Sequence, residues 1–554
     1  MTAAIYFHPE AYSTSGPKLM GRNAAGESFL RGFLTHATAT QWWAQVQRPE
    51  HGTAFAHIVR QHGRHEPVKI IDNRALPSLA DASVVYYPGP GIGSHALERA
   101  AYGHGAWSLC GITHTTSSAV AMDAITALIT QPVYPWDAVI CTSTAVKDNV
   151  NRLLQAQVDY LQDRLGITRL PLPQLPVIPL GIHTTDFEFS PQQRFEARAR
   201  LGLSERHDAL VVLYVGRLSF HAKAHPLAMY QALEAAARRS GRDVVLVECG
   251  WHANESIKQA FVAAQQSACP SITCRLLDGR SSADRETAWA AADVFCSLSD
   301  NIQETFGIVP IEAMAAGLPV VVSDWDGYKD TVRHGIDGFR IPTTMPAPRL
   351  GGDLAMRHAL EIDTYDMYCG HTCSLVAVDV QAAAAAFTAL FESPEARRRY
   401  GMAARQHARE HYDWGVIIPR YEQLWRELGE RRQASAAGLK TLPFPWPARM
   451  DPFHSFASYP SQTLTADSLL EVVDSEPAVA AARLAQYRGL AMVSFAKTVL
   501  PSDDETTAIL QNAYRYGGAA TAANLLTGIV PARQPYVLRA LSWLLKLGIL
   551  RLRA

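Results

Sequence analysis

The sequence predicts an α/β protein with two facing Rossmann-like domains, each a doubly wound parallel sheet, and a mainly helical C-terminal domain. Three observations carry that reading. Short apolar runs rich in β-branched residues alternate with longer helical stretches from the start to about residue 430. Runs this short and this apolar suit strands buried on both faces of a parallel sheet. They also fall into two series, separated by the proline- and glycine-punctuated stretch VIPLGIHTTDFEFSP around Pro179–Pro191.

The first series offers strands at Ala4–His8, Val68–Asp72, Val84–Tyr87, Ser108–Thr113, Ala138–Thr142 and Val177–Leu180. The second offers Leu210–Val215, Val244–Glu248, Thr273–Leu277, Val294–Leu298, Val320–Ser323 and Phe339–Ile341. The segments between them are long enough for the crossover helices that parallel strands require. The domains are read as residues 1–183 and 184–411, with an insertion at about 345–377 in the second. Residues 433–462 form a linker, where LPFPWPARMDPF is too rich in proline for a helix interior or a central strand.

The 554 residues suffice for about three or four domains. A 48% hydrophobic and 19% charged composition supports sizeable cores, and a net charge of −1 supplies no global pull toward nucleic acid or anionic membrane. Eight scattered cysteines do not make a disulfide scaffold. Cys369 and Cys373 flank His371 in CGHTC but lack a second ligand pair, and are read as ordinary thiols. The N-terminus has no signal-peptide pattern, and no apolar run is long enough to span a bilayer. A cytoplasmic protein is expected, with peripheral membrane contact left open.

Open parallel sheets bind ligands at the carboxyl ends of their strands, and the most informative residues fall there. After the strand at Val294–Leu298 comes a polar loop, then Glu304-Thr305-Phe306-Gly307 leading into a helix. Pro310 suits that helix's first turn and Gly317 its end. Backbone N–H groups around Phe306, Gly307 and Ile308 then form an anion site. Glu304 and Glu312 flank it, and carboxylates accept hydrogen bonds from vicinal hydroxyls of sugar and ribose rings. In isolation the pair would read as helix-start acids favoured by the macrodipole. Arg217 and Lys223 follow the strand at Leu210–Val215, where two cations can clamp a diphosphate. Gly21 and Gly26 are placed in a loop opening a helix, where glycine permits close backbone approach. His114, in CGITHTTSS, follows the strand at Ser108–Thr113.

Residues 300–327, DNIQETFGIVPIEAMAAGLPVVVSDWDG, resemble the signature of retaining glycosyltransferase family 4, the Glu-x7-Glu enzymes of the GT-B fold. Glu304 and Glu312 have that spacing. The resemblance implies that Glu304, with the amides of Phe306 and Gly307, meets the transferred sugar and that Glu312 meets the ribose. The segment VLYVGRLSFHAKAHPLAMYQAL is similar to the family's diphosphate clamp, with Lys223 six residues after Arg217 where five is commoner. By the same resemblance Gly26 faces the diphosphate and acceptor, His114 lies near the transferred sugar, and residues 412–432 form a helix crossing back onto the first domain. The resemblance covers about residues 1–430.

The resemblance implies a retaining hexosyltransferase taking a nucleoside-diphosphate sugar as donor and a glycan, lipid-linked or protein acceptor. The leaving phosphate takes the acceptor's proton, so no separate general base is required. Asp324-Trp325-Asp326 are read as loop acids, and no obligatory metal is expected. Two alternatives are a glycosyl phosphorylase of related fold and a sugar-nucleotide-sensing regulator with a C-terminal nucleic-acid-binding module. The presence of Arg217, Glu304 and Glu312 argues against a degenerate sensor.

Residues 463–554 read as helices, including Asp503–Tyr516, Ala519–Leu526 and Gln534–Leu547, then the short run Ile549–Leu552. A winged-helix-like arrangement fits, with Val537, Leu541, Leu544 and Leu545 on one face. A small packing domain or oligomerisation module is favoured over nucleic-acid contact, protein docking or membrane-surface contact. The acids at 503–505 argue against nucleic acid, despite nearby Arg533, Arg539, Lys546, Arg551 and Arg553.

Overall fold

The computed structural model describes residues 3–13, 21–206, 208–439 and 444–553. It divides into two compact units, Met1–Pro447 and Ala448–Ala554. Leu442 and Pro443 of the proline-rich run lie outside the described residues.

The first unit contains two six-stranded parallel sheets. One comprises β1 (Ala4–Tyr6), β2 (Trp42–Gln45), β3 (Val68–Ile71), β4 (Val84–Tyr86), β5 (Ser108–Ile112) and β6 (Ala138–Ile140), in the order 3-2-1-4-5-6. The other comprises β7 (Leu210–Val215), β8 (Val244–Gly250), β9 (Thr273–Asp278), β10 (Val294–Ser297), β11 (Val320–Ser323) and β12 (Gly338–Ile341), in the order 12-11-10-7-8-9. Both sheets run outward one way from their first strand and then reverse. Each therefore has a switch point, between β1 and β4 and between β7 and β10, where loops diverge and a ligand crevice opens. Strands β7, β8, β10 and β11 are buried almost throughout, which explains their unbroken apolar runs.

The expected fold class stands, with one exchange of strands. Val177–Leu180 is not a strand; Val177 makes only an isolated bridge to Cys141. The sixth strand of the first sheet is instead β2, whose WWAQ sequence lacks the β-branched run that marks its neighbours.

Helices α1 (Gly21–His36), α2 (Thr144–Leu165), α3 (Leu227–Ser240), α4 (Ser282–Ala291), α5 (Ile308–Ala315) and α6 (Tyr328–Thr331) follow in chain order. The segment read as an insertion is closed at its base by the antiparallel pair β13 (Thr343–Thr344) and β14 (Ala377–Val378). It holds α7 (Gly352–Ala359) and α8 (Tyr365–Cys373). Helix α9 (Trp414–Ser435) packs on the first sheet's side. Its Trp414 Nε1 donates to Ser28 Oγ at 2.8 Å, Tyr421 lies beside Phe29 and Tyr86, and Trp425 lies edge-on to Phe33. These rings are fully buried and tie residue 414 onward to the N-terminal half.

In the second unit, β15 (Leu469–Val472) lies between β16 (Ala519–Thr521) and β17 (Leu550–Leu552), antiparallel to both. Helices α10 (Asp503–Arg515) and α11 (Gln534–Lys546) cover it with Ile509, Ala513, Val537, Leu541 and Leu544. The helix expected over Ala519–Leu526 divides instead: Ala519–Thr521 joins the sheet, and the Thr521 side chain caps a new turn by accepting from Asn524 N. Among the described residues no helix is long and apolar enough to cross a membrane.

Candidate active site

The sequence-derived residues of the second sheet converge at its carboxyl edge. Beyond β7, the chain turns at Gly216 into Arg217, whose Nη2 donates to the Ala222 carbonyl at 3.0 Å and to Gln303 Oε1 at 3.1 Å. That loop brings Lys223 Nζ to 2.7 Å from Glu304 Oε2, with side-chain exposures of 28% and 10%. The cation clamp and the first acid, 81 residues apart in sequence, thus form one ion pair. Burial pushes the Glu304 carboxyl up. The Lys223 charge and hydrogen bond, with the Thr305 and Phe306 N–H groups, more than reverse this and hold it below the ordinary carboxylate range.

Helix α5 begins beside that pair. Its N-cap, Gly307, has φ +80°, in the left-handed region that glycine adopts freely. A Cβ there would lie 1.9 Å from Cε1 of Tyr328, whose buried hydroxyl is 2.8 Å from Ser297 Oγ. Glycine therefore lets the Phe306–Ile308 backbone close over an aromatic floor, leaving the helix N-terminus at the sheet edge. Phe306 itself is buried in the core. Glu312 lies one turn into α5 and is half-buried. Burial pushes its carboxyl up to about 8, partly offset by the charge of Arg285 on α4.

The first sheet contributes from the opposite side. His114, half-buried in the loop after β5, offers its carbonyl to Thr305 Oγ1 at 3.3 Å. Ser143, which caps α2, reaches the Thr305 carbonyl at 2.9 Å and Asp326 Oδ1 at 3.2 Å. Thr144 N donates to Asp330 Oδ2 at 2.6 Å. The loops after β5 and β6 therefore meet the loops after β10 and β11, with Glu304 at the junction.

Gly26 is placed differently from the expectation. It lies within α1, not in a loop, and a Cβ there would come 2.0 Å from the Ala11 carbonyl oxygen. The glycine is required for the close approach of α1 to residues 9–11. Cys369 and Cys373 are free thiols on α8, both buried, with burial pushing them up to about 11 and about 12. Helix α8 packs on the Arg217 loop: Gly370 faces His221, and Cys373 Sγ lies 3.8 Å from the Phe220 carbonyl. Tyr365 of the same helix is 3.1 Å from Ser117 Oγ in the loop after β5.

Several site residues escaped the sequence reading. Gln303 holds Arg217, and its position next to Glu304 was the available signal. Asp300 accepts from His225 N at 3.1 Å, and burial pushes it up to about 7. Asp326 is not a solvated loop acid: its Oδ2 is buried without a hydrogen-bond partner. No sequence signal separates it from the more exposed Asp330.

Residues 196–347 match the family model described as glycosyl transferases group 1. That segment contains Arg217, Lys223, Glu304, Phe306, Gly307 and Glu312. Among curated proteins, the chain is similar to D-inositol 3-phosphate glycosyltransferase of Thermobispora bispora. The two are 28% identical over 199 residues, 35% of this chain and 45% of the relative. It is also similar to phosphatidyl-myo-inositol mannosyltransferase of Mycobacterium tuberculosis, 32% identical over 145 residues, 26% of this chain and 29% of the relative. The chain spans less than half the length of these curated relatives. Among solved structures, Anabaena HepE in complex with UDP aligns with a TM-score of 0.49 at 17% identity, covering 76% of this chain and all of that one.

Proposed function

We propose that this chain is a retaining glycosyltransferase that moves a hexose from a nucleoside-diphosphate sugar to a glycan, lipid-linked or protein acceptor. The observation that carries the reading is the Lys223–Glu304 pair. It places a cation and an acid beside Arg217 and the α5 N-terminus, at the switch-point edge of a parallel sheet. The matched glycosyl transferases group 1 segment spans all of these residues and supports the same reading.

In this reading the diphosphate lies against Arg217, Lys223 and the N–H groups at Gly307 and Ile308. The Glu304 carboxylate accepts from hydroxyls of the transferred sugar, and Glu312 from the ribose. His114 supplies a hydrogen bond to the sugar from the first sheet. The acceptor oxygen bonds to the anomeric carbon as the bond from that carbon to the phosphate oxygen breaks. The departing phosphate oxygen takes the acceptor proton. Arg217, Lys223 and the helix N-terminus hold the charge that develops on the leaving group, so catalysis rests on positioning and electrostatics.

A thermal-shift series with UDP-, GDP- and ADP-sugars tests the donor site, since a ligand bound by the native state alone raises its stability. One donor class is expected to raise Tm, with the shift lost in Glu312→Ala and turnover lowered in Arg217→Ala. No shift with any donor, together with full transferase activity in both variants, rejects the assignment.

A further inference from the structure

The β11–α6 turn holds a group that the donor site does not use. Asp326 has φ +42°, one of four non-glycine residues in the left-handed region among those described. Such a backbone is strained for an L-residue, least so for Asp and Asn, and persists where the surroundings over-determine it. The carboxyl is wedged between Ser143 on one side and the Glu304 region on the other.

The hydrogen bonds around Ser143 fix the state of this carboxyl by proton counting. Ser143 Oγ has one proton and two lone pairs. Its shortest contact is to the Thr305 carbonyl, at 2.9 Å, which can only accept. One lone pair accepts from Val146 N at 3.2 Å, as the cap of α2 requires. The remaining lone pair faces Asp326 Oδ1 at 3.2 Å. With the Ser143 proton on the Thr305 carbonyl, that contact is a hydrogen bond when Asp326 supplies a proton. An ionised Asp326 must instead draw the Ser143 proton to itself, leaving the Thr305 carbonyl the longer Thr142 Oγ1 contact at 3.4 Å and its own Oδ2 buried and unpartnered.

We propose that Asp326 is a positioning residue that works as a neutral acid, donating its proton to Ser143 so as to join the two sheets' loops while leaving Glu304 paired with Lys223 alone. The inference rests on the donor-site reading given above. The charged and titratable groups facing Asp326 are Glu304 from the loop after β10 and Tyr328, Lys329 and Asp330 from α6. Two of these are acids and only Lys329 is a cation. Deprotonation adds a charge that repels Glu304 and draws the Ser143 proton off the Thr305 carbonyl. Burial first, and Glu304 second, push the Asp326 carboxyl up to about 8.

The test compares the wild type with Asp326→Asn and Asp326→Ala, using UDP-glucose, GDP-mannose and ADP-glucose. Donor affinity and kcat/KM are measured from about pH 6 to about pH 10, bracketing the titration. The wild type is expected to lose both as pH rises through about 8. The alanine variant is expected to be weaker by about tenfold below about pH 7, the loss of one buried hydrogen bond, and to approach the wild type above about pH 9. The asparagine variant, whose amide also donates to Ser143, is expected to recover part of that loss and to show a smaller alkaline fall, the remainder belonging to Glu312. An alkaline fall unchanged in Asp326→Asn overturns the proposal. Infrared difference spectra of wild type minus Asp326→Asn, without donor, give a second readout: a protonated-carboxyl band at neutral pH that disappears on alkalinisation. Its absence overturns the proposal even where no donor binds, whereas its presence without donor binding rejects only the transferase reading.

Discussion

Replacing Gly307 by alanine tests whether the α5 N-terminus is built as described. Alanine at φ +80° costs about 1–2 kcal/mol in backbone strain alone. Its Cβ would sit 1.9 Å from Cε1 and 2.4 Å from Cδ1 of Tyr328, far inside contact distance. The ring cannot yield freely, being 2% exposed and anchored by the hydroxyl contact with Ser297. Overpacking of this kind costs about 1–3 kcal/mol, and breaking the Tyr328 hydrogen bond about 1 kcal/mol more. The sum is a destabilisation of about 3–6 kcal/mol in urea titration, with donor affinity reduced in the molecules that remain folded. A Gly307→Ala/Tyr328→Ala double variant isolates the steric part, because removing the ring removes the clash. It is expected to be more stable than the sum of the single variants by about 1–2 kcal/mol. Simple additivity, or a single variant within about 1 kcal/mol of wild type, would refute the reasoning.

Two further outcomes follow from buried charges. Arg99 and Asp137 are both fully buried; Arg99 donates to both Asp137 oxygens, at 2.6 and 2.9 Å, and to the Trp107 and Pro132 carbonyls. Arg99→Met strands the Asp137 carboxylate and is expected to cost about 3–5 kcal/mol in denaturant titration, with Asp137→Leu in the same chain restoring much of it; a near-neutral single variant counts against the pair as described. Glu248, Asp300, Glu312 and Asp326 are pushed up to between about 7 and about 8 by burial, so the folded chain binds protons that the unfolded chain has released. Their contribution is complete below about pH 4 and lost as pH rises through about 8; the histidines His104, His183, His225, His252 and His407, held below their ordinary value, act oppositely up to about pH 6.5, so the Tm of the donor-free protein should fall between about pH 7 and about pH 8. A Tm that climbs through the same window contradicts these assignments.

Most of the fold was legible because short apolar, β-branched runs marked eleven of the twelve strands in the two large sheets; central strands such as β7, β8, β10 and β11 are buried almost throughout, whereas the edge strands β3, β9 and β12 carry Lys69, Arg275 and Arg340 and are partly exposed. β2 was hidden because Trp and Gln replace the β-branched residues that identify its neighbours. The Val177 run misled because apolar residues beside a sheet edge resemble a strand whether or not a ladder forms. The acids and cations of the donor site were visible because their spacing is local. Lys223 meeting Glu304, or Ser143 meeting Asp326, is not local, and no periodicity encodes it. Gly26 shows the limit of reading a glycine: the sequence reveals that a side chain is missing, while the structure shows that the Ala11 carbonyl occupies its place.

The protonation of the cleft acids bears on how the site can hold a diphosphate at all. Lys223 pairs with Glu304, Arg285 acts on Glu312, and Lys329 and Asp330 act on Asp326. Burial and these neighbours set the charge of each acid. Glu304 is ionised because Lys223 lies 2.7 Å away, whereas Glu312 has only the charge of Arg285 and Asp326 faces further acids. Burial thus pushes Glu312 and Asp326 toward their neutral forms, so that hydroxyl-binding carboxyls coexist with an anion site. Raising the pH through about 8 removes that balance without breaking a covalent bond. Weakened diphosphate binding at alkaline pH is thus a property of the whole constellation. What distinguishes Asp326 within it is that its protonation also holds Ser143, and with it the loops of the two sheets, together.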